Sequence, residues 1–121
     1  PLSKMSDVTV DEDTIAKRIE VVGDKPASAA ITVDAEENVY LAAIEKNEIG
    51  VMDKTGKYRS YIKDDRLQWA SGFSYAPNGY IYVAISRLNE LPMYNGGTEP
   101  AEKKPYLIAR FKPIAPAAVG R

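Results

Sequence analysis

The chain has 121 residues, with 16 Lys and Arg against 17 Asp and Glu, so its formal charge of −1 offers no cationic excess to a nucleic-acid backbone. It contains neither Cys nor His, which excludes thiol nucleophiles, disulfides, imidazole bases and the usual zinc ligand sets. Apolar runs such as Val39–Ile44 stop far short of the roughly 20 residues that a membrane-spanning helix needs.

In chain order, Asp11 is placed to cap a short acidic, helix-like turn over Asp11–Lys17. Ile15–Val22 then reads as the outer strand of a preceding sheet, and Gly23-Asp24-Lys25-Pro26 turns the chain inward. Ala29–Val33 is a small-residue inner strand, followed by the polar turn Asp34–Asn38. The next run, Val39–Ile44, is apolar on both faces, as expected of a strand sandwiched between sheets. Glu48–Met52, the turn Asp53-Lys54-Thr55-Gly56 and Lys57–Ile62 supply two more strands, giving a complete sheet whose burial should fall from the inner strand outward.

The pattern then restarts. Gly72-Phe73-Ser74-Tyr75 leads into a hairpin turn at Pro77-Asn78-Gly79, where glycine supplies the positive φ of a tight turn, and into the strand Tyr80–Ile85. The insertion Asn89–Pro105 contains Asn95-Gly96-Gly97 and three prolines and reads as a mobile loop. Strand alternation resumes over Tyr106–Phe111, after which Pro113 and Pro116 bar a fourth strand.

Ala30–Ala42 aligns without a gap on Gly72–Ala84, an offset of 42 residues, and a strand-rich period of about 40 to 50 residues marks propeller blades. The expected fold is all-β, about two blades of a propeller built from antiparallel four-stranded sheets. Residues 1–26 end a preceding blade and connect it, 27–68 form a complete blade, 69–112 a final blade with the long loop 89–105, and 113–121 a tail. Blades bury both faces against neighbours, so the remaining blades should come from a longer protein or from further copies of this chain.

Several stretches resemble the major royal jelly/yellow protein family, including its bacterial members. They are Pro1-Leu2-Ser3, Gly23-Asp24-Lys25-Pro26, Asn38-Val39-Tyr40-Leu41, Lys63-Asp64-Asp65-Arg66-Leu67-Gln68-Trp69, Gly72-Phe73-Ser74-Tyr75 and Ser86-Arg87-Leu88. The resemblance implies the last blades of a six-bladed, gluconolactonase-like ring, periplasmic or extracellular, with a small-molecule cavity near its axis. It further implies either a metal-assisted lactone hydrolase or dopachrome-type isomerase using calcium, or a non-catalytic ligand carrier or protein-interaction propeller. Bacterial relatives commonly place Ser-Asp-Gly at Ser28-Ala29-Ala30, Trp-Pro-Asp-Gly at Trp69-Ala70-Ser71-Gly72 and Thr-Asp at Ala42-Ala43, so this chain lacks three of their carboxylates.

The mouth of such a ring is built from the starts of inner strands and the loops after second strands. This nominates Ser28, Trp69, Ser71, Ser86, Arg87 and Asn89 as ligand-binding residues, and Glu45 and Asn47 as oxygen ligands for calcium. Glu45-Lys46-Asn47-Glu48 also reads as a solvated turn, Arg87 as an anion fork or an inter-blade ion pair, and Trp69 as a ligand wall or as packing. Tyr75, Tyr80 and Tyr82 read as cross-strand packing with rim hydroxyls. Asp34–Asn38 lacks the glycine and distal glutamate of a calcium loop and is a hairpin turn. Gly50 to Gly56-Lys57 spaces its glycines by five residues and follows them with Tyr58, so it is no phosphate loop.

Overall fold

The structure is a computed structural model that describes residues 11–100 and 104–118; the Pro1-Leu2-Ser3 stretch and the last three residues of the tail lie outside the described residues. One short helix, α1 (Glu12–Ala16), precedes strands β1 (Ser28–Val33), β2 (Val39–Ala43), β3 (Glu48–Met52), β4 (Tyr58–Lys63), β5 (Ala70–Tyr75), β6 (Ile81–Ile85) and β7 (Leu107–Phe111). They form two antiparallel meanders, β1-β2-β3-β4 and β5-β6-β7, each with the sequential strand order of a propeller blade.

The 42-residue repeat holds at the level of hydrogen-bond register. Ser28 pairs with Ala43 and Ile31 with Leu41 across a bulge, and 42 residues on Ala70 pairs with Ile85 and Phe73 with Val83 across a bulge at the same place. The two hairpin turns also agree, because Glu37 (φ 66°) stands in the left-handed region where Gly79 (φ 74°) stands in the second copy. Register follows from side-chain period: slipping by one residue would turn every buried side chain outward.

Asp11 caps α1 as expected, its carboxylate accepting from the Thr14 N–H (3.0 Å) and hydroxyl (2.7 Å). The expected outer strand at Ile15–Val22 is not formed: α1 takes its start, and residues 17–27 carry no strand. A strand needs a partner edge for its N–H and C=O groups, and none of the described strands pairs with this segment, where Ile19, Val21 and Val22 are exposed. Burial does not fall from the inner strand outward either. The middle strands β2 and β3 are buried, whereas β1 and β4 are half-exposed, because the outward face of β1 has no neighbouring sheet.

The sheets stack with β1 beside β5. Tyr40, Ala42, Ile49 and Val51 of the first meet Ile81, Val83, Ile85 and Phe111 of the second, with Leu67 and Ala70 closing the core. Burying each large apolar side chain contributes on the order of 1.5 to 3 kcal/mol. Tyr40, Tyr61 and Phe73 gather around Phe111 at ring-centroid distances of 5.6, 6.2 and 6.1 Å. Toward the outer strands the sheets diverge around a cleft of about 420 Å³, lined by Ile49, Ile62, Val83, Ile85, Leu107 and Ala109.

The tail forms no fourth strand beside β7 among the described residues; instead it crosses the far end of the first sheet. The Ala35 N–H donates to the Pro116 carbonyl (2.9 Å), the Ile114 N–H to the Tyr40 hydroxyl (2.7 Å) and the Ala115 N–H to the Asp34 carboxylate (3.2 Å).

Candidate functional site

Antiparallel hairpins bring the starts of β1, β3, β5 and β7 and the ends of β2, β4 and β6 to one end of the sheets. Ser28, Glu45, Asn47, Trp69, Ser71, Ser86, Arg87 and Asn89 therefore all stand at or just beyond that end. They do not all meet. Ser28 is half-buried at the start of β1, accepting from the Lys25 ammonium at 2.9 Å, and Ser71 is exposed on β5. None of Ser28, Glu45, Asn47 and Ser71 lines the cavities around Arg87.

Glu45 is exposed in the β2–β3 turn, and Asn47 takes a left-handed backbone (φ 49°) whose carbonyl accepts from the Asp64 N–H at 3.1 Å. Calcium takes six to eight oxygens. Among the described residues no group of three or more Asp and Glu side chains could hold a metal ion. The carboxylate that is buried here is Glu48, which accepts from the Tyr58 (2.7 Å) and Ser60 (2.9 Å) hydroxyls. Burial pushes its pKa up, but these two hydrogen bonds, with Lys46 and Lys63 nearby, hold it below the ordinary glutamate value.

The β5–β6 end is more tightly built. Trp69 is left-handed (φ 52°), and its carbonyl accepts from both the N–H (3.2 Å) and the hydroxyl (2.9 Å) of Ser86. Its indole packs on Tyr94 at 5.4 Å, so the ring serves as packing for the insertion. Arg87 is left-handed (φ 50°), 8% exposed, and paired through its guanidinium with Glu90 of the same turn rather than across blades. Among the described residues its buried Nε has no hydrogen-bond partner.

The insertion expected as a mobile loop is internally hydrogen-bonded where it is described. A 3₁₀ turn spans Leu88–Glu90, and the Asn95 amide donates to the carbonyls of Glu90 (3.1 Å) and Thr98 (2.7 Å). It borders an open cleft of about 430 Å³ lined by Arg87, Asn89, Glu90, Asn95, Thr98 and Lys104. Glu90 and Lys104 were not evident as site residues from sequence; the spacing of Glu90 three residues after Arg87 was the available signal for one, and nothing local marks the other.

The opposite end holds a polar centre that reading Asp34–Asn38 as a turn did not reveal. Asp34, 2% exposed, accepts from the Glu36 N–H, the Asn38 N–H and amide, the Tyr40 hydroxyl (2.8 Å) and the Ala115 N–H. Burial raises its pKa, yet these donors outweigh burial and leave it below the ordinary aspartate value. Tyr75, expected to carry a rim hydroxyl, is pushed up to about 12 by burial and the charge of Asp34, and its hydroxyl is buried without a partner. Tyr82 does reach the rim, accepting from the Asn78 amide at 3.0 Å, and Tyr80 carries the Arg110 and Lys112 cations over its ring.

No protein-family model and no curated protein matches this sequence. Among solved structures the chain is similar to virginiamycin B lyase from Staphylococcus aureus, at 14% identity and a TM-score of 0.45, over 81% of this chain. The chain spans 31% of the length of that protein.

Proposed function

We propose that this chain supplies adjacent blades of a six-bladed ring of the royal jelly/yellow type, and that the ring binds a small organic molecule at the end carrying Ser86, Arg87 and Asn89. The observation that carries the ring is a mismatch between equivalent residues. Ile49, opposite Ala42, is 1% exposed beneath the second sheet, whereas Ile108, opposite the equivalent Ala84, is 78% exposed. On the other flank Ile31 is 64% exposed, although its counterpart Phe73 packs on Phe111. Each open face carries the side chain that its equivalent buries, which is what a stack interrupted on both sides presents. The Leu67-Gln68-Trp69 and Ser86-Arg87-Leu88 stretches support the royal jelly/yellow assignment within propellers.

The carrier form of this reading is favoured over the metal-assisted enzyme, because Ala29 and Ala43 stand where relatives place carboxylates and Glu45 with Asn47 offers too few oxygens. Calorimetry with a panel of small lactones, aminochromes and aromatic amines, with turnover followed in parallel, tests it. Saturable heat without turnover is expected. Turnover that disappears in Glu45→Ala would replace the carrier with the enzyme, and a panel without any saturable heat would overturn the binding role.

A further inference from the structure

We infer that Arg87 and Lys104 form a site for the carboxylate of an organic anion, so that the ligand of the proposed carrier is anionic. The inference rests on the ligand-binding reading of this end and adds the chemistry that would recognise the ligand. Three cavities of about 430, 250 and 330 Å³ surround the insertion, and Arg87 and Lys104 line all three. The pair is thus the wall the cavities share.

Arg87 is built as an anchor. Only 9% of its side chain is exposed, its backbone N–H donates to the Gln68 carbonyl at 3.1 Å, and one guanidinium nitrogen is engaged by Glu90. A buried guanidinium N–H left unbonded is unfavourable, and among the described residues the Nε of Arg87 is in that state. Guanidinium offers planar donors that match the two oxygens of a carboxylate, which an ammonium does not. Lys104 brings a second cation to the same wall, while the Asn89 and Asn95 amides and the Thr98 hydroxyl line the largest cavity with neutral polar groups. Glu90 and Glu99 also line it, so its two cations face two carboxylates and recognition rests on the guanidinium donors rather than on net charge, which disfavours a dianion.

The test compares benzoate with its neutral analogue benzamide on the intact protein, by calorimetry and by tryptophan fluorescence, to which Trp69, packed on Tyr94 of the insertion, contributes. Benzoate should bind saturably and benzamide at least about tenfold more weakly, since a buried charged hydrogen bond is at stake. Arg87→Lys, which keeps the charge and loses the fork, should weaken benzoate by about tenfold. Lys104→Ala, at an exposed position that contributes no core packing, should weaken it by about threefold. Equal binding of benzoate and benzamide would mean that water alone satisfies Nε; it overturns the anion site and leaves the carrier reading standing. No response to either probe removes the site, and a panel equally silent removes the carrier with it.

Discussion

The two sheets share one backbone plan and differ in how they are finished. In the first hairpin Asp34 gathers its own turn, Tyr40 and the tail residue Ala115 around one carboxylate. In the second, 42 residues on, Ala76 stands in its place, the turn is held by Asn78, whose side chain accepts from the Tyr80 N–H at 3.2 Å, and Tyr82 points to the rim where Tyr40 is fully buried. Register is therefore set by alternation and turn chemistry that both copies carry, while the buried polar centre forms only where a tail arrives to cover it.

Asp34→Ala should break this contrast most severely. It strips acceptors from several N–H and O–H groups in a buried setting, and urea denaturation should show a loss of about 3 kcal/mol. The first sheet would then depend on the same contacts as the second.

Gly50→Ala should cost about 2 kcal/mol, because an added Cβ would lie 2.1 Å from the Tyr58 hydroxyl and 2.2 Å from its ring, displacing the partner of Glu48. Its counterpart in the second sheet, Ala109, carries a Cβ already, since no fourth strand brings a tyrosine there. Gly72→Ala provides the control: its nearest neighbour would be the Ala84 Cβ at 4.0 Å, and stability should change by no more than about 0.5 kcal/mol.

Acid should act on the first sheet in a milder way. The pKa of Asp34 lies below its unfolded value, so its contribution is fully present above about pH 4 and is lost as pH falls through the folded value. Melting temperatures recorded between pH 6 and 2 should fall at the acid end, and Asp34→Asn should flatten that slope; an unchanged slope would place the titration at the other carboxylates shifted in the same direction, Asp11, Glu48, Asp53 and Asp64. Asn78→Ala, at an exposed turn, should have the smallest effect, about 0.5 kcal/mol or less in the same urea assay.

Much of the site was legible only as a location. That Ser86, Arg87 and Asn89 stand at one end of the sheets follows from counting strands, since each hairpin reverses the chain. That Arg87 is buried with Glu90, and that Lys104 lines the same cavities, depends on how the described part of 89–105 folds back through Asn95 and Thr98. Ile15–Val22 shows the converse, because its alternation is strand-like yet no strand forms without an edge to pair with.

Alternating apolar residues, the Asp, Asn and Gly turn positions and the 42-residue repeat were enough to mark the seven strands that form and the correspondence between the two sheets, along with an eighth at Ile15–Val22 that does not form, because these are local preferences repeated along the chain. Only the tertiary structure decided which copy holds the buried carboxylate, which isoleucines face water and which cations share a cavity wall. Those outcomes depend on segments far apart in sequence arriving at the same place, such as Ala115 at Asp34 and Lys104 at Arg87, and nothing in the spacing of residues along one strand encodes such an arrival.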